Sequence, residues 1–279
     1  MPQLRAEEWI NVAAFAWFTV LAWSRRSLDS VRRAKITALG AAGLAITLFV
    51  ALALPAWIVP LAARTARDWA PYLLLFLCYR QGGLFITGWN TGFEARLERF
   101  DLKLVAPLLA WCGVHRVGSW ILAYLEAAYL AYYVSLPLSM AALYLVGAAS
   151  EAGRFWTVVL LAAYGSCNTL PFIQIRPPRM LAEKWTPPLP SSKVRAFNLW
   201  ILRQGSIHAN TFPSAHVAIT TACALVLLEV APLWVGLVFL WIALSVALGA
   251  VAGRYHYAAD AILGVILAVA AFLAAVAVT

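Results

Sequence analysis

The chain has 279 residues, 63% of them hydrophobic and 12% charged, with a mean hydropathy of +0.81 and a formal net charge of +9. A soluble domain of this size needs far more charged surface than that, so this class is excluded. The basic residues flank apolar runs and suit anionic headgroups; with no soluble basic domain, no nucleic-acid partner is expected.

The first apolar run, residues 9–23, follows Glu7 and Glu8, has no basic segment before it and is closed by Arg25 and Arg26. It therefore predicts a retained membrane helix rather than a signal peptide. Residues 36–60 are long enough to cross a bilayer, which takes roughly 20 helical residues. Residues 69–89 are apolar over 73–78 but are interrupted by Arg80, Gln81, Gly82 and Gly83. Two readings stand for them: a span whose arginine faces a polar cavity, or an interfacial half-helix leading into an amphipathic stretch, 93–104. Further apolar runs follow at 120–149 and 155–172. The polar segment 174–210 holds Pro177, Pro178, Pro187, Pro188 and Pro190 and reads as a stiff loop over the membrane surface. The last runs are 217–230, 234–252 and 257–278.

These runs are continuous, without the period-two alternation of a barrel strand. The expected fold is an all-α polytopic integral membrane helix bundle of 7–8 transmembrane helices. It forms a single membrane domain, 1–279, with N-terminal helices at 1–63, a partly re-entrant or amphipathic segment at 64–118 and a catalytic core at 119–279. If 69–89 spans, the loops 24–35, 91–117 and 174–213 share one side with Arg254, and the positive-inside rule makes that side cytoplasmic. If it does not, the first loop and the later loops lie on opposite sides, so the active face stays open. Cys78, Cys112, Cys167 and Cys223 show no paired spacing and read as buried structural thiols.

Two of the four histidines stand at the mouths of apolar runs, in Phe212-Pro213-Ser214-Ala215-His216 and Arg254-Tyr255-His256-Tyr257-Ala258-Ala259-Asp260. Pro213 suits the first position of a helix, and Asn210 or Thr211 can cap it. The helix start then presents N–H groups and a positive dipole end to an anion, with the Ser214 hydroxyl as a further donor. His256 and Asp260 are four apart and share a helix face. The carboxylate can accept from one imidazole nitrogen and leave the other as a nucleophile. Plainer readings are a capped helix with an interfacial histidine, and a histidine paired with a nearby aspartate. A metal site on His216, His256 and Asp260 is disfavoured by the nearby arginines, so no metal or organic cofactor is expected. Glu126, among Tyr124, Tyr129, Tyr132 and Tyr133, reads either as a functional carboxylate or as an interhelical hydrogen-bond acceptor. His208 reads as solvated.

The order Arg176-Pro177, then Pro213-Ser214-x-His216, then His256-x-x-x-Asp260 resembles the type 2 phosphatidic acid phosphatase superfamily of membrane lipid phosphatases and phosphotransferases. The resemblance covers roughly residue 120 to the C-terminus and implies a six-helix core. It implies that His256 is the nucleophile of a phosphohistidine intermediate, that Asp260 orients it, and that His216 is the general acid. It also implies phosphate contacts from Arg176, Ser214 and the Ala215 N–H. The pattern departs where the family's first-motif lysine is Thr169, and where its later serine and arginine are Gly249 and Ala250. Arg254 is the best substitute cation, with Arg179 or Arg203 as another. The motif spelling is similar to the inositol phosphorylceramide synthase-like branch, whose members transfer a phospho-headgroup between lipids.

The resemblance implies a lipid phosphatase acting on a phosphate monoester or pyrophosphate, with lipid phosphotransfer as the alternative. A non-catalytic protein retaining the fold is the reading from another class. The expected partners are a lipid phosphate and membrane lipids, and the expected place is the bacterial inner (plasma) membrane. The oligomeric state is open.

Overall fold

A computed structural model describes residues 3–113, 120–184, 189 and 191–278. Pro187, Pro188 and Pro190 lie outside the described residues. In chain order the α-helices are α1 (Ala6–Ser24), α2 (Ser30–Leu48), α3 (Pro60–Gly83), α4 (Thr91–Phe100), α5 (Ala106–Trp111), α6 (Trp120–Leu145), α7 (Ala152–Cys167), α8 (Lys193–Gly205), α9 (Ala215–Val230), α10 (Leu233–Ala252) and α11 (Ala258–Val278). The chain is an all-α membrane helix bundle. Among the described residues four helical stretches are long and apolar enough to cross a membrane: Ser30–Ala56, Trp120–Leu145, Leu233–Ala252 and Ala258–Ala277. The apolar α9 is shorter, while α1 carries charged residues at its start and α3 toward both ends.

Helix α9 is the axis of the bundle, packed by α6, α7, α10 and α11; α1 and α3 lean on α7, and α2 on α1 and α3. Phe15 and Phe18 of α1 meet Phe155 and Trp156 of α7 in one buried cluster. Outward faces stay apolar, with Trp241, Leu248 and Ile266 exposed, as lipid-facing surfaces require. Close approach between helices, rather than expulsion of water, then holds them together. Gly249 of α10 shows this: a Cβ there would lie 2.3 Å from the Leu125 carbonyl oxygen of α6.

The segment 69–89 belongs to one continuous helix up to Gly83. At the start of α3, buried Asp68 accepts from Arg5 (2.6 Å) and from the Tyr144 hydroxyl at the end of α6 (2.7 Å). At its end, the Tyr79 hydroxyl accepts from Ile207 N, and Gln174 donates to the Phe85 carbonyl. Thus α3 runs from one end of the bundle to the other. Gly83 does not break it; the glycine admits Ile207, whose Cγ2 would lie 2.4 Å from a Cβ. Gln81 is buried and donates to the Ile36 carbonyl (3.0 Å).

Two expectations are corrected. The loop 174–210 contains a helix, α8, capped by the Ser192 side chain accepting from Arg195 N. Its basic residues and flanking prolines mask an amphipathic period. Cys78, Cys167 and Cys223 are buried, but Cys112 is exposed, just past α5.

Candidate active site

Three chain segments between helices meet at the end of the bundle to which α3 rises. The stretch after α7 is bridged to the one before α9, where Asn210 N donates to the Ile175 carbonyl (2.8 Å). The turn between α10 and α11 is tied to both: Arg179 N donates to the Arg254 carbonyl (2.8 Å), and the Tyr257 hydroxyl donates to the Arg176 carbonyl (3.1 Å). Ser214 N donates to the Asp260 carbonyl (2.9 Å), which brings the start of α11 against the start of α9. Forty residues of separation are thereby closed, and His256 Nε2 lies 3.3 Å from His216 Nδ1.

The histidines continue a line of polar groups. His256 Nδ1 is 3.0 Å from Asp260 Oδ2, and His216 Nε2 is 3.5 Å from the Tyr129 hydroxyl. With a carboxylate at one end and a phenol at the other, one set of tautomers satisfies every contact. His256 donates from Nδ1 to Asp260, His216 donates from Nδ1 to the His256 Nε2 lone pair, and Tyr129 donates to His216 Nε2. Burial, and then the Arg179 cation, push the His256 pKa down to about 3, so its imidazole is neutral near pH 7.

A cavity of about 360 Å³ opens in front of the histidines. Leu73, Phe76, Leu136 and Ile219 make it apolar, and Tyr79, Tyr132 and Tyr133 line it with Arg179, His216 and His256. Such a chamber accepts an apolar tail with its polar end at the histidines.

A family model described as the PAP2 superfamily matches residues 95–274. The chain belongs to that superfamily. No curated protein and no solved structure matches the chain. PAP2 members are membrane phosphatases and phosphotransferases, so phosphatase-type chemistry belongs with this architecture.

The PAP2 pattern can now be placed residue by residue. His256, His216 and Asp260 come together. Ser214 is fully buried, and its side chain caps α9 by accepting from Val217 N (3.4 Å). Ala215 N donates to the Thr211 hydroxyl (3.0 Å), so this N–H is engaged within the helix cap. Arg176 does not line the cavity; Glu94 of α4 grips its side chain (2.7 and 3.1 Å) and accepts from its backbone N (2.8 Å). Arg254 is buried with a left-handed backbone (φ 58°) and borders a small pocket on another side of His256. Burial, then Arg195, lower its pKa to about 10. Arg179 is the cation in the main cavity, its guanidinium 6.0 Å from the Tyr255 ring. Arg203 is exposed on α8, and His208 is exposed too. Gly249 replaces the family serine where α10 touches the α6 backbone, leaving no room for a side chain.

Of the two readings the sequence left for Glu126 the structure shows the second, whereas Asp101 had no individual sequence signal. Glu126 is buried and accepts from Arg195 (2.6 Å), Asn198 (2.7 Å) and the Tyr255 hydroxyl. It is an interhelical acceptor that ties α6 and α8 to the residue before His256. Asp101, just past α4, accepts from Ala258 N (3.1 Å) at the start of α11. Its position ten residues after Thr91 is visible in sequence; its partner 157 residues away is not.

Burial raises the Asp101 carboxyl to about 7, against the opposing pull of the Ala258 N–H. The folded state therefore holds a proton that the unfolded chain releases near the usual carboxylate value. Stability from this group is present below about pH 4 and is lost as pH rises through 7. Asp101→Asn keeps an acceptor for Ala258 N and removes the charge. Its melting temperature, relative to wild type in detergent, is expected to rise progressively between pH 5 and 8. A constant difference across that range would refute the assignment.

Proposed function

We propose that this chain is a lipid phosphatase that cleaves a phosphate monoester or pyrophosphate through a phosphohistidine on His256. The line Asp260–His256–His216, ending in an apolar chamber, is the observation that carries this reading. Asp260 accepts from Nδ1–H and keeps the Nε2 lone pair on the side of His216 and the chamber. To admit phosphorus, His216 must withdraw from Nε2. His216 takes up a proton from solvent as the substrate enters. The Nε2 pair then attacks phosphorus, the P–O bond to the leaving alcohol or phosphate breaks, and protonated His216 delivers that proton to the departing oxygen. Water, deprotonated by His216, next attacks phosphorus; the P–N bond breaks and inorganic phosphate leaves.

The transition state spreads negative charge over the equatorial oxygens, and donors aimed there carry much of the rate. Arg179 is assigned this role because it shares the chamber with both histidines. Arg254 flanks His256, and Arg176 contributes through the loop that Glu94 fixes. Arg179→Ala is expected to lower kcat/KM about 10- to 100-fold, the scale of one charge-assisted hydrogen bond. Arg203→Ala is expected to leave it unchanged. Equal effects from the two substitutions would reject the assignment.

Phospho-headgroup transfer to a lipid hydroxyl is the second reading, favoured by the apolar chamber, which can hold an acceptor lipid as well as a donor. Phosphate release from a panel of lipid phosphates by purified protein, with EDTA present, tests the first reading. Loss of donor lipid without phosphate release, in the presence of an acceptor lipid, supports transfer. No turnover in either format removes both and leaves a non-catalytic member of the superfamily. The basic loops lie at the same end as the site, with Arg5, Arg64, Arg67 and Arg154 at the other. On the positive-inside rule we assign the site to the cytoplasmic face.

A further inference from the structure

Asp260 accepts from two side chains, and both converge on one oxygen. His256 Nδ1 is 3.0 Å from Oδ2, and the Asn210 amide nitrogen donates to the same atom. Asp260 and Asn210 are both essentially inaccessible to solvent. Among the described residues no side chain donates to Asp260 Oδ1, which is buried, so the side-chain contacts that orient the carboxylate are both on Oδ2. The Asn210 backbone is in turn fixed by its bridge to Ile175, whose neighbour Arg176 is held by Glu94.

We propose that Asn210 is a positioning residue, whose amide holds Asp260 as a carboxylate with Oδ2 turned toward His256. An amide N–H donates across the working range, and a donated hydrogen bond favours the ionised form of its partner. That form is the one that fixes the Nδ1–H tautomer of His256 and leaves Nε2 as the lone pair. A leucine or alanine at 210 preserves the bridge, which is a backbone contact, but not this control. The proposal rests on His256 being the nucleophile.

Two variants and a substrate-free measurement test it. Asn210→Ala is expected to lower kcat about 10- to 100-fold with KM unchanged, the usual scale for a group that orients a reacting residue from behind. Asn210→Asp introduces a carboxyl that can replace the amide only while it carries a proton. Two adjacent carboxyls share one proton readily and lose it as pH rises. This variant is therefore expected to work at acidic pH and to gain a descending alkaline limb in kcat that wild type lacks. A merely structural role would scale the profile without reshaping it. Independently, 15N imidazole spectra of detergent-solubilised protein, with His256 assigned by its loss in His256→Ala, are expected to show an Nδ1–H tautomer in wild type and a mixed one in Asn210→Ala. An unchanged tautomer, or an Asn210→Asp profile parallel to wild type, overturns the proposal. If wild type turns over no phosphate ester, the lipid phosphatase reading fails, while the tautomer still decides whether Asn210 acts on His256 through Asp260.

Discussion

His256→Ala is expected to abolish turnover, by at least about 10³-fold in kcat, while leaving the bundle folded. The substitution removes the imidazole whose Nε2 lies 3.3 Å from His216 Nδ1 at the chamber wall. When the nucleophile of a cooperating set is lost, the remaining members cannot perform the covalent step, and such losses are far larger than those from binding contacts. His256 sits in the turn between α10 and α11, not in the interior of a helix, so its truncation disturbs little packing. The measurement is phosphate release, together with trapping of a phosphoenzyme that survives alkaline quench and is lost in acid. A wild-type phosphoenzyme absent from the variant is the expected pair of results. Retention of more than a tenth of the wild-type rate in His256→Ala would eliminate the phosphohistidine route.

Glu126→Ala is expected to unfold the site from behind. Glu126 is buried within α6 and accepts from three side chains on two other parts of the chain. Its removal leaves Arg195, which is 12% exposed along its side chain, as a nearly buried cation without its carboxylate. Breaking a buried pair from one side costs about 3–5 kcal/mol, and the Tyr255 hydroxyl loses its acceptor as well, while the Asn198 amide keeps only the residue-126 backbone carbonyl (2.9 Å). Tyr255 stacks on Tyr129, with ring centroids 4.0 Å apart, and directly precedes His256. Activity is therefore expected to fall together with thermal stability in detergent. Replacing both partners, as in Glu126→Leu with Arg195→Met, removes the stranded charge and is expected to recover most of the melting temperature. A double variant as unstable as Glu126→Ala would show that the ion pair is not the source of the loss.

Both predictions depend on residues that the sequence made legible to different degrees. His216, His256 and Asp260 were visible because short-range spacing carries their chemistry: four residues bring a carboxylate to an imidazole on one helical face. Each apolar run was visible because roughly 20 consecutive apolar residues have few alternatives to a membrane helix. Arg80-Gln81-Gly82-Gly83 left two readings open, since polarity and glycine suggest an interruption, and the structure shows a continuous helix to Gly83. Their role is packing: Gln81 donates to α2 and Gly83 admits Ile207.

Sequence by itself determined the membrane class and the helical architecture, because these follow from composition and from local periodicity, and its motifs carried the resemblance to the superfamily that the family model shows. Tertiary structure alone decided which cation shares the chamber, placing Arg179 there and giving Arg176 to Glu94. It also decided that Asn210 bears on Asp260, that Asp101 caps α11 and that Glu126 is an anchor. Each of these is a side-chain pairing across 50 to 157 residues. Such partners are fixed by how helix ends meet in space, and one helix's periodicity carries no record of its neighbour's register.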